Sequence, residues 1–420
     1  MSGTTASSLV AALKPYEYNI FTLSNGMRCV HRRSNSRVAY TGVAIDAGSR
    51  DEPDERQGLA HFVEHTIFKG TGKRKSWHIS DRMESIGGEL NAYTSKETTV
   101  VYTIAPATEP ERAIELLADL IANASFPESE IEKEKEVVIE EIKGALDNPA
   151  DDLFDEFEQL AYSGNRLGHD ILGTPESVRS LTSADCRDFV NRLYTPGHMV
   201  LFVQSPDPAA RIERLAEKHF GKLKRVDTPR HRIAPCSIPD FNELRDRQGH
   251  QAHTLVGAAT FNRHDPRRYA LLLYNSLLAG PSMNSRLNQE LRERRGLVYT
   301  VDSSVSMLSD TGMEYIYFGA DKSAIGKCLK IIDRELSRLA DKELSPSTFD
   351  KIKKQYCGQL LVNSDNLEAT AMSMGKSVLF FNEVHDAAYS AARVCDVTPA
   401  DLLEVARMVA ENSSHRLTLC

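Results

Sequence analysis

His61 and His65 stand four residues apart, with Glu64 between them, in the run His61-Phe62-Val63-Glu64-His65. On a helix that separation puts both imidazoles on one face, one turn apart. Two nitrogens so placed suit Zn2+, which takes His at about 2.0–2.1 Å. Glu64, three residues after His61, lies on the same side and within reach of a water at the metal. A catalytic zinc has three protein ligands and one open position for that water, so a carboxylate or a third His must come from another element. The stretch Glu128–Leu146 offers Glu134 and Glu141, two helical turns apart and on one face. Spacing alone leaves open which of the two reaches the metal and which stands behind it. The chemistry such a set supports is amide hydrolysis. Zinc lowers the pKa of its water toward about 7 and polarises the carbonyl, and Glu64 takes the water proton and passes it to the leaving amine.

The small and apolar residues around the motif (Gly58, Leu59, Ala60, Phe62, Val63) distinguish it from a solvated charge run, whereas Glu128, Glu130, Glu132, Glu136 and Glu140 read as the wet face of a long helix. The motif itself is predicted on a helix from Gly58 to Lys69, stopped by Gly70. Before it, Phe21–Val30 carries an Asn-Gly turn between β-prone runs, and Val38–Ala47 reads as a strand. After it come a helix near Ile79–Ile86, strands near Glu89–Thr94 and Thr98–Ala105, a helix at Glu109–Ala122 and the Glu-rich helix, ended by Asn148-Pro149.

The second half repeats part of this order at a spacing of about 215 residues. Tyr315–Ala320 is a strand like Val100–Ala105, and each precedes an amphipathic helix (Ile325–Leu339, Arg112–Ala122). Leu344-Ser-Pro-Ser-Thr-Phe-Asp matches Phe126-Pro-Glu-Ser-Glu-Ile-Glu as a capped start to a further long helix. The spacing is too long for a solenoid and fits two tandem α+β domains of one fold, as the length of 420 residues also suggests. The reading is residues 1–225, a linker over 226–242 containing Pro229, Pro235 and Pro239, and residues 243–420. The halves are chemically unequal. Leu271, Tyr274 and Asn275 fall where His61, Glu64 and His65 stand, and Gln359 falls where Glu141 stands, so only the first half can hold the metal.

A formal net charge of −8 argues against nucleic-acid binding. No run approaches the roughly 20 apolar residues that span a bilayer, and the segment Leu9–Leu13 lacks the preceding positive charge of a secretory signal. Seven scattered cysteines, none in a C-x-x-C pair, suggest reduced thiols, and a cytoplasmic location is expected.

Beyond its spacing, the motif has the inverse of the thermolysin order and resembles the inverzincin signature of the pitrilysin family. Gly58-Leu-Ala-His-Phe-Val-Glu-His-Thr-Ile-Phe-Lys-Gly-Thr71 is similar to the mitochondrial processing peptidase branch and its bacterial relatives. So are Gly87-Gly-Glu-Leu-Asn-Ala-Tyr-Thr-Ser95, Glu134-Lys-Glu-Val-Val-Ile-Glu-Glu-Ile142 with Asp147-Asn-Pro149, and Leu172-Gly-Thr-Pro-Glu-Ser177. The resemblance implies Glu141 as third zinc ligand and Glu134 as its support. It implies Asn91-Ala92-Tyr93 as an edge strand that binds peptide by main-chain hydrogen bonds. It also implies Arg292 as a grip on a substrate carbonyl and Tyr299 as a donor to the oxyanion. The fold implied is two domains, each a mostly antiparallel sheet with helices packed on one face, together half of a clamshell. Two such chains would close a chamber around one zinc per chain, as a homodimer or as a heterodimer with a related subunit. The activity implied is endopeptidase action on short or unfolded peptides. The rival is a non-catalytic or substrate-binding subunit of a related peptidase or respiratory core complex.

Overall fold

The Asn-Gly turn forms where expected: Gly26 takes φ +88°, Asn25 Oδ1 accepts from the Met27 amide, and the turn joins β1 (Tyr18–Thr22) to β2 (Arg28–Arg33). The computed structural model describes residues 6–13, 15–226, 228, 230–247 and 249–420. Met1–Thr5 and Pro229, parts of the N-terminal and linker readings, lie outside the described residues. With β3 (Val38–Ile45), β4 (Glu89–Thr94), β5 (Thr99–Pro106) and β6 (Met199–Ser205), the hairpin completes a six-stranded sheet of order β1-β2-β6-β3-β5-β4. A second sheet of order β7-β11-β8-β10-β9 uses β7 (Asn242–Arg245), β8 (Ala252–Thr260), β9 (Val298–Met307), β10 (Gly312–Ala320) and β11 (His415–Leu419).

The duplication is topological as well as sequential. In each sheet one pair is parallel, β2 with β6 and β7 with β11, and the following three pairings are antiparallel. The two sheets therefore superpose in connectivity, β4 corresponding to β9, and each ends on that strand as a free edge. Helices cover one face of each sheet around a large apolar core, as the α+β reading requires. Of the two capped starts expected for the matched long helices, one is found. Ser345 caps Pro346–Asn363 by accepting from the Thr348 amide, whereas Pro127 occupies the cap position before Glu128–Leu146 and has no hydroxyl to offer.

The opposite faces are covered too, by exchange. Four helices position the metal motif and join the halves: α1 (Leu59–Thr66), α2 (Glu128–Leu146), α3 (Pro149–Ala161) and α4 (Leu367–Phe381). α4, from the second half, packs Ala371, Met374 and Val378 under the first sheet against Val30, Ala44, Val200 and Phe202. α3, from the first half, packs Leu153 and Phe157 under the second sheet against Leu255, Met313 and Leu417. Both contacts depend on missing β-carbons. A Cβ on Gly375 would strike the Phe202 ring, and one on Gly257 would strike the Phe157 ring. Gly375→Val should therefore destabilise the protein. A β-carbon in a helix gains at most about 1 kcal/mol of propensity, while overpacking costs about 1–3 kcal/mol, so the clash wins. A urea midpoint equal to that of the parent would contradict this packing account. Among the described residues no helix is long and apolar enough to cross a membrane.

Candidate metal centre

α1 is short and its start is built from outside. Gly58 precedes it at φ +84°, and its Cα side abuts Leu172 and Gly173 so closely that a Cβ would lie 2.5 Å from the Leu172 carbonyl oxygen. Gly173, at φ +75°, makes the reciprocal approach to the Gln57 carbonyl. The glycines of two separate sequence motifs thus meet back to back, a conformation and a distance open only to Gly. The buried Glu52 carboxylate accepts from the Gly58 and Ala60 amides at 2.9 and 2.6 Å, satisfying donors at the helix start. Leu59, Phe62 and Val63 anchor the other face in the core.

This fixes His61, Glu64 and His65 toward α2. The two imidazole rings lie 4.6 Å apart between centroids. Glu141 reaches both rings, 3.7 Å from His61 Nε2 and 3.3 Å from His65 Nε2. Glu134 instead lies 3.0 Å from His65 Nδ1, and its other oxygen is 2.7 Å from Lys69 Nζ. The two same-face glutamates differ in what they face: Glu141 lies toward the two Nε2 atoms and Glu134 at the back of one ring. One donor atom each from His61, His65 and Glu141 can be chosen so that all lie within 4.8 Å of one another.

The electrostatics suit a cation at that point. Burial, with a smaller push from His65, lowers His61 to about 3, leaving a neutral ring. For His65 burial acts downward, but Glu134, Glu141 and Glu64 outweigh it and raise the ring's pKa. The cluster thus draws positive charge to the space between His65 and three carboxylates. Glu64 is raised chiefly by burial and further by Glu141, against a Thr94 hydrogen bond and His65. Its Oε2 is buried without a hydrogen-bond partner among the described residues. Two neutral-capable imidazoles, one carboxylate and an adjacent unpartnered carboxylate oxygen make a donor set that fits zinc with one position left open.

The sequence profile described as Insulinase (Peptidase family M16) matches residues 28–175, and that described as Peptidase M16 inactive domain matches residues 180–356. An uncharacterized zinc protease of Streptomyces coelicolor is 33% identical over 396 residues, covering 92% of this chain and 86% of that protein. The chain belongs to peptidase family M16. The mitochondrial-processing peptidase subunit beta of Bos taurus is 29% identical over 391 residues, covering 90% of this chain and 79% of that protein. Among solved structures, a protease from Helicobacter pylori matches with a TM-score of 0.87 at 22% identity, covering 96% of this chain and 99% of that one. That likeness bears on the fold.

The other residues singled out in this M16 sequence fall in two places. Asn91, Ala92 and Tyr93 lie on β4, hydrogen-bonded to β5 on one side and, among the described residues, unpaired on the other. Thr94, at the end of the same strand, acts to lower the Glu64 pKa, and β4 packs against α1. Arg292 and Tyr299 are exposed on the second half. Arg292 lies in the last turn of a π-helical segment (Asn288–Glu293), and Tyr299, on β9, donates to Asp321 at 2.9 Å. Among the described residues no hydrogen bond or ion pair joins either to the His61, His65 and Glu141 cluster. Sequence reading missed Glu52, Lys69 and Thr94. Lys69 was legible only as a cation four residues after His65; it lies in the bend past the end of α1. Glu52 and Thr94 act through tertiary approach and carried no local signal.

Proposed function

We propose that this chain is a zinc-dependent endopeptidase acting on short or unfolded peptides. The observation that carries the reading is the convergence of His61, His65 and Glu141 beside a buried Glu64 oxygen with no partner. His61, His65 and Glu141 would hold one zinc per chain. When bound, the metal supplies Lewis-acid polarisation of the scissile carbonyl and activation of water. Glu64 accepts a proton from the attacking water and returns it to the departing amine. Glu134, itself fixed by Lys69, holds His65 Nδ1, so that its Nε2 points at the metal position. The free edge of β4 takes the substrate as an added strand, which reads main chain and therefore selects extended segments.

Relatives named zinc protease support the activity, and a relative that is a subunit of a processing peptidase supports assembly with a second chain. Arg292 and Tyr299 are assigned to the wall that a second chain presents, because they are exposed and lie apart from the metal cluster within their own chain. A homodimer is the simplest closed chamber, since one chain carries both sets; a related partner subunit is the alternative. The test is incubation of the purified protein with a mixed peptide library, read by mass spectrometry, with and without a chelator. Expected are cleavage within unstructured peptides, loss of cleavage after chelation, and recovery on adding zinc. Chelator-insensitive cleavage would remove the metal from the mechanism. A zinc-loaded protein that cleaves nothing would favour the non-catalytic subunit instead.

A further inference from the structure

A cavity of about 680 Å³ lies between the two halves, where the end of β4 meets the end of β9. Tyr93, Phe154, Met307 and Phe380 supply apolar wall, and four cations line it: Lys96 and Arg263 face Glu158 and Glu97, which leaves Lys376 and Arg268. Lys376 projects from α4, its ammonium 5.6 Å from the centre of the Tyr93 ring. Among the described residues no carboxylate forms an ion pair with it. Burial lowers its pKa, and the neighbouring charge acting on it is the like charge of Arg263. Arg268 is fixed by Tyr269 Oη at 2.7 Å and His385 Nδ1 at 2.9 Å, and it lies 4.5 Å over the Phe381 ring. None of these partners is a carboxylate. Of the acids on the same cavity, Glu97 is taken by Arg50 and Arg263, Glu158 is taken by Lys96 at 3.0 Å and by the Tyr315 hydroxyl at 2.8 Å, and among the described residues Asp155 forms no ion pair with Lys376 or Arg268.

Cations taken largely out of water are ordinarily matched, and elsewhere between these halves they are: Arg50, Arg232 and Arg263 all face carboxylates, whereas the half-buried Lys376 and Arg268 face none among the described residues. The direction of the strand explains why an unmatched pair here meets a ligand. Side chains alternate along β4. Leu90 and Ala92 face the core beneath α1, and Tyr93 faces α4. A peptide added beside β4 therefore sends every second side chain toward the α4 face, where Lys376 and Arg268 wait.

We infer that Lys376 and Arg268 form a carboxylate-binding subsite for a peptide added along β4. The inference rests on the peptidase reading and gives it a specificity. The carboxylate can be an Asp or Glu side chain or the peptide's own C-terminus, and the test separates these. One neutral parent peptide is varied at each position flanking the scissile bond to Glu, Gln or Lys, each as free acid and as C-terminal amide. At one position Glu should exceed Gln at least tenfold in kcat/KM; for a terminal carboxylate, the free acid should exceed the amide by that factor instead. Lys376→Met and Arg268→Gln should collapse the ratio toward one, Lys376→Arg should keep it, and Lys376→Glu should turn the preference to Lys. Equal ratios in parent and Lys376→Met, with cleavage intact, would overturn the subsite and leave the peptidase reading standing. Should the parent cleave nothing, the peptidase reading falls. Fluorescence anisotropy of the same labelled peptides then decides the subsite: a charge preference lost in Lys376→Met keeps it, and absence of that preference ends it.

Discussion

Glu64→Gln is expected to lower kcat for peptide hydrolysis by roughly 10³-fold, the middle of the range for loss of a positioned general base, while the zinc content stays unchanged. The amide has nearly the shape of the carboxylate but cannot take a proton from water. The metal positions are untouched, because the three converging donors belong to His61, His65 and Glu141. The variant should also be no less stable. In the parent, the carboxylate is raised by burial and by the like charge of Glu141; a neutral amide removes the buried charge and that repulsion. Retained stability with lost turnover is what a site held at some expense of folding energy predicts. Steady-state kinetics, metal analysis and a thermal melt on one preparation read all three. Full activity would end the assignment of Glu64 as base. Simultaneous loss of zinc would make Glu64 a ligand and reopen the place of Glu141.

How far this site could be read beforehand depends on the range of the interactions. His61, Glu64 and His65 act across one helical turn, so their spacing carries the information. Glu134 and Glu141 also sit on one helix, but their difference in role depends on where α2 crosses α1, which no spacing encodes; only resemblance assigned them. The same division applies to the fold. Strands, the Asn25-Gly26 turn and the internal duplication are local or repeated patterns and were legible. The exchange of α3 and α4 between halves was not, since α4 lies more than 150 residues from the strands it covers. A signal was nevertheless present. Met199-Val-Leu-Phe-Val203 has no polar alternation, and β6 is buried along its whole length, which marks a strand covered on both faces. Gly58 and Gly173 look like independent motifs in sequence and prove to be one contact.

Glu97→Ala should produce the largest loss of stability among single substitutions at the junction of the halves. Glu97 sits in the turn between β4 and β5, 1% exposed, and accepts from Arg50 Nη1 at 2.6 Å, from Arg263 Nη2, and from the Ser309 amide and hydroxyl at 3.0 and 2.7 Å. Arg50 continues to Asp310 and to the Ile233 carbonyl, and Arg232 binds Asp46, Asp51 and the Glu97 carbonyl. One carboxylate therefore ties the first sheet, the connecting segment and the β9–β10 turn of the second sheet. A fully apolar replacement of the whole network could be neutral, but removing only the anion leaves Arg50 with Asp310 alone and the buried Arg263 with no carboxylate among the described residues, which costs about 3–5 kcal/mol. At about 2.1 cal/mol/K per residue, a 420-residue chain would lose roughly 3–6 °C in a single transition, and more if the halves begin to melt separately. The pH dependence has a definite sign. Burial opposes ionisation of Glu97, but Arg232, Arg263, Ser309 and Arg50 outweigh it and hold its pKa below the usual carboxylate value. A depressed carboxylate stabilises the fold at pH above its unfolded pKa, and that stabilisation fades as pH falls through the folded value. Calorimetry should then show the gap between parent and Glu97→Ala constant from pH 7 to 5 and closing only below the ordinary carboxylate range. A variant melting within a degree of the parent at pH 7 would mean that apolar contacts alone, those of α3 and α4, hold the two halves together.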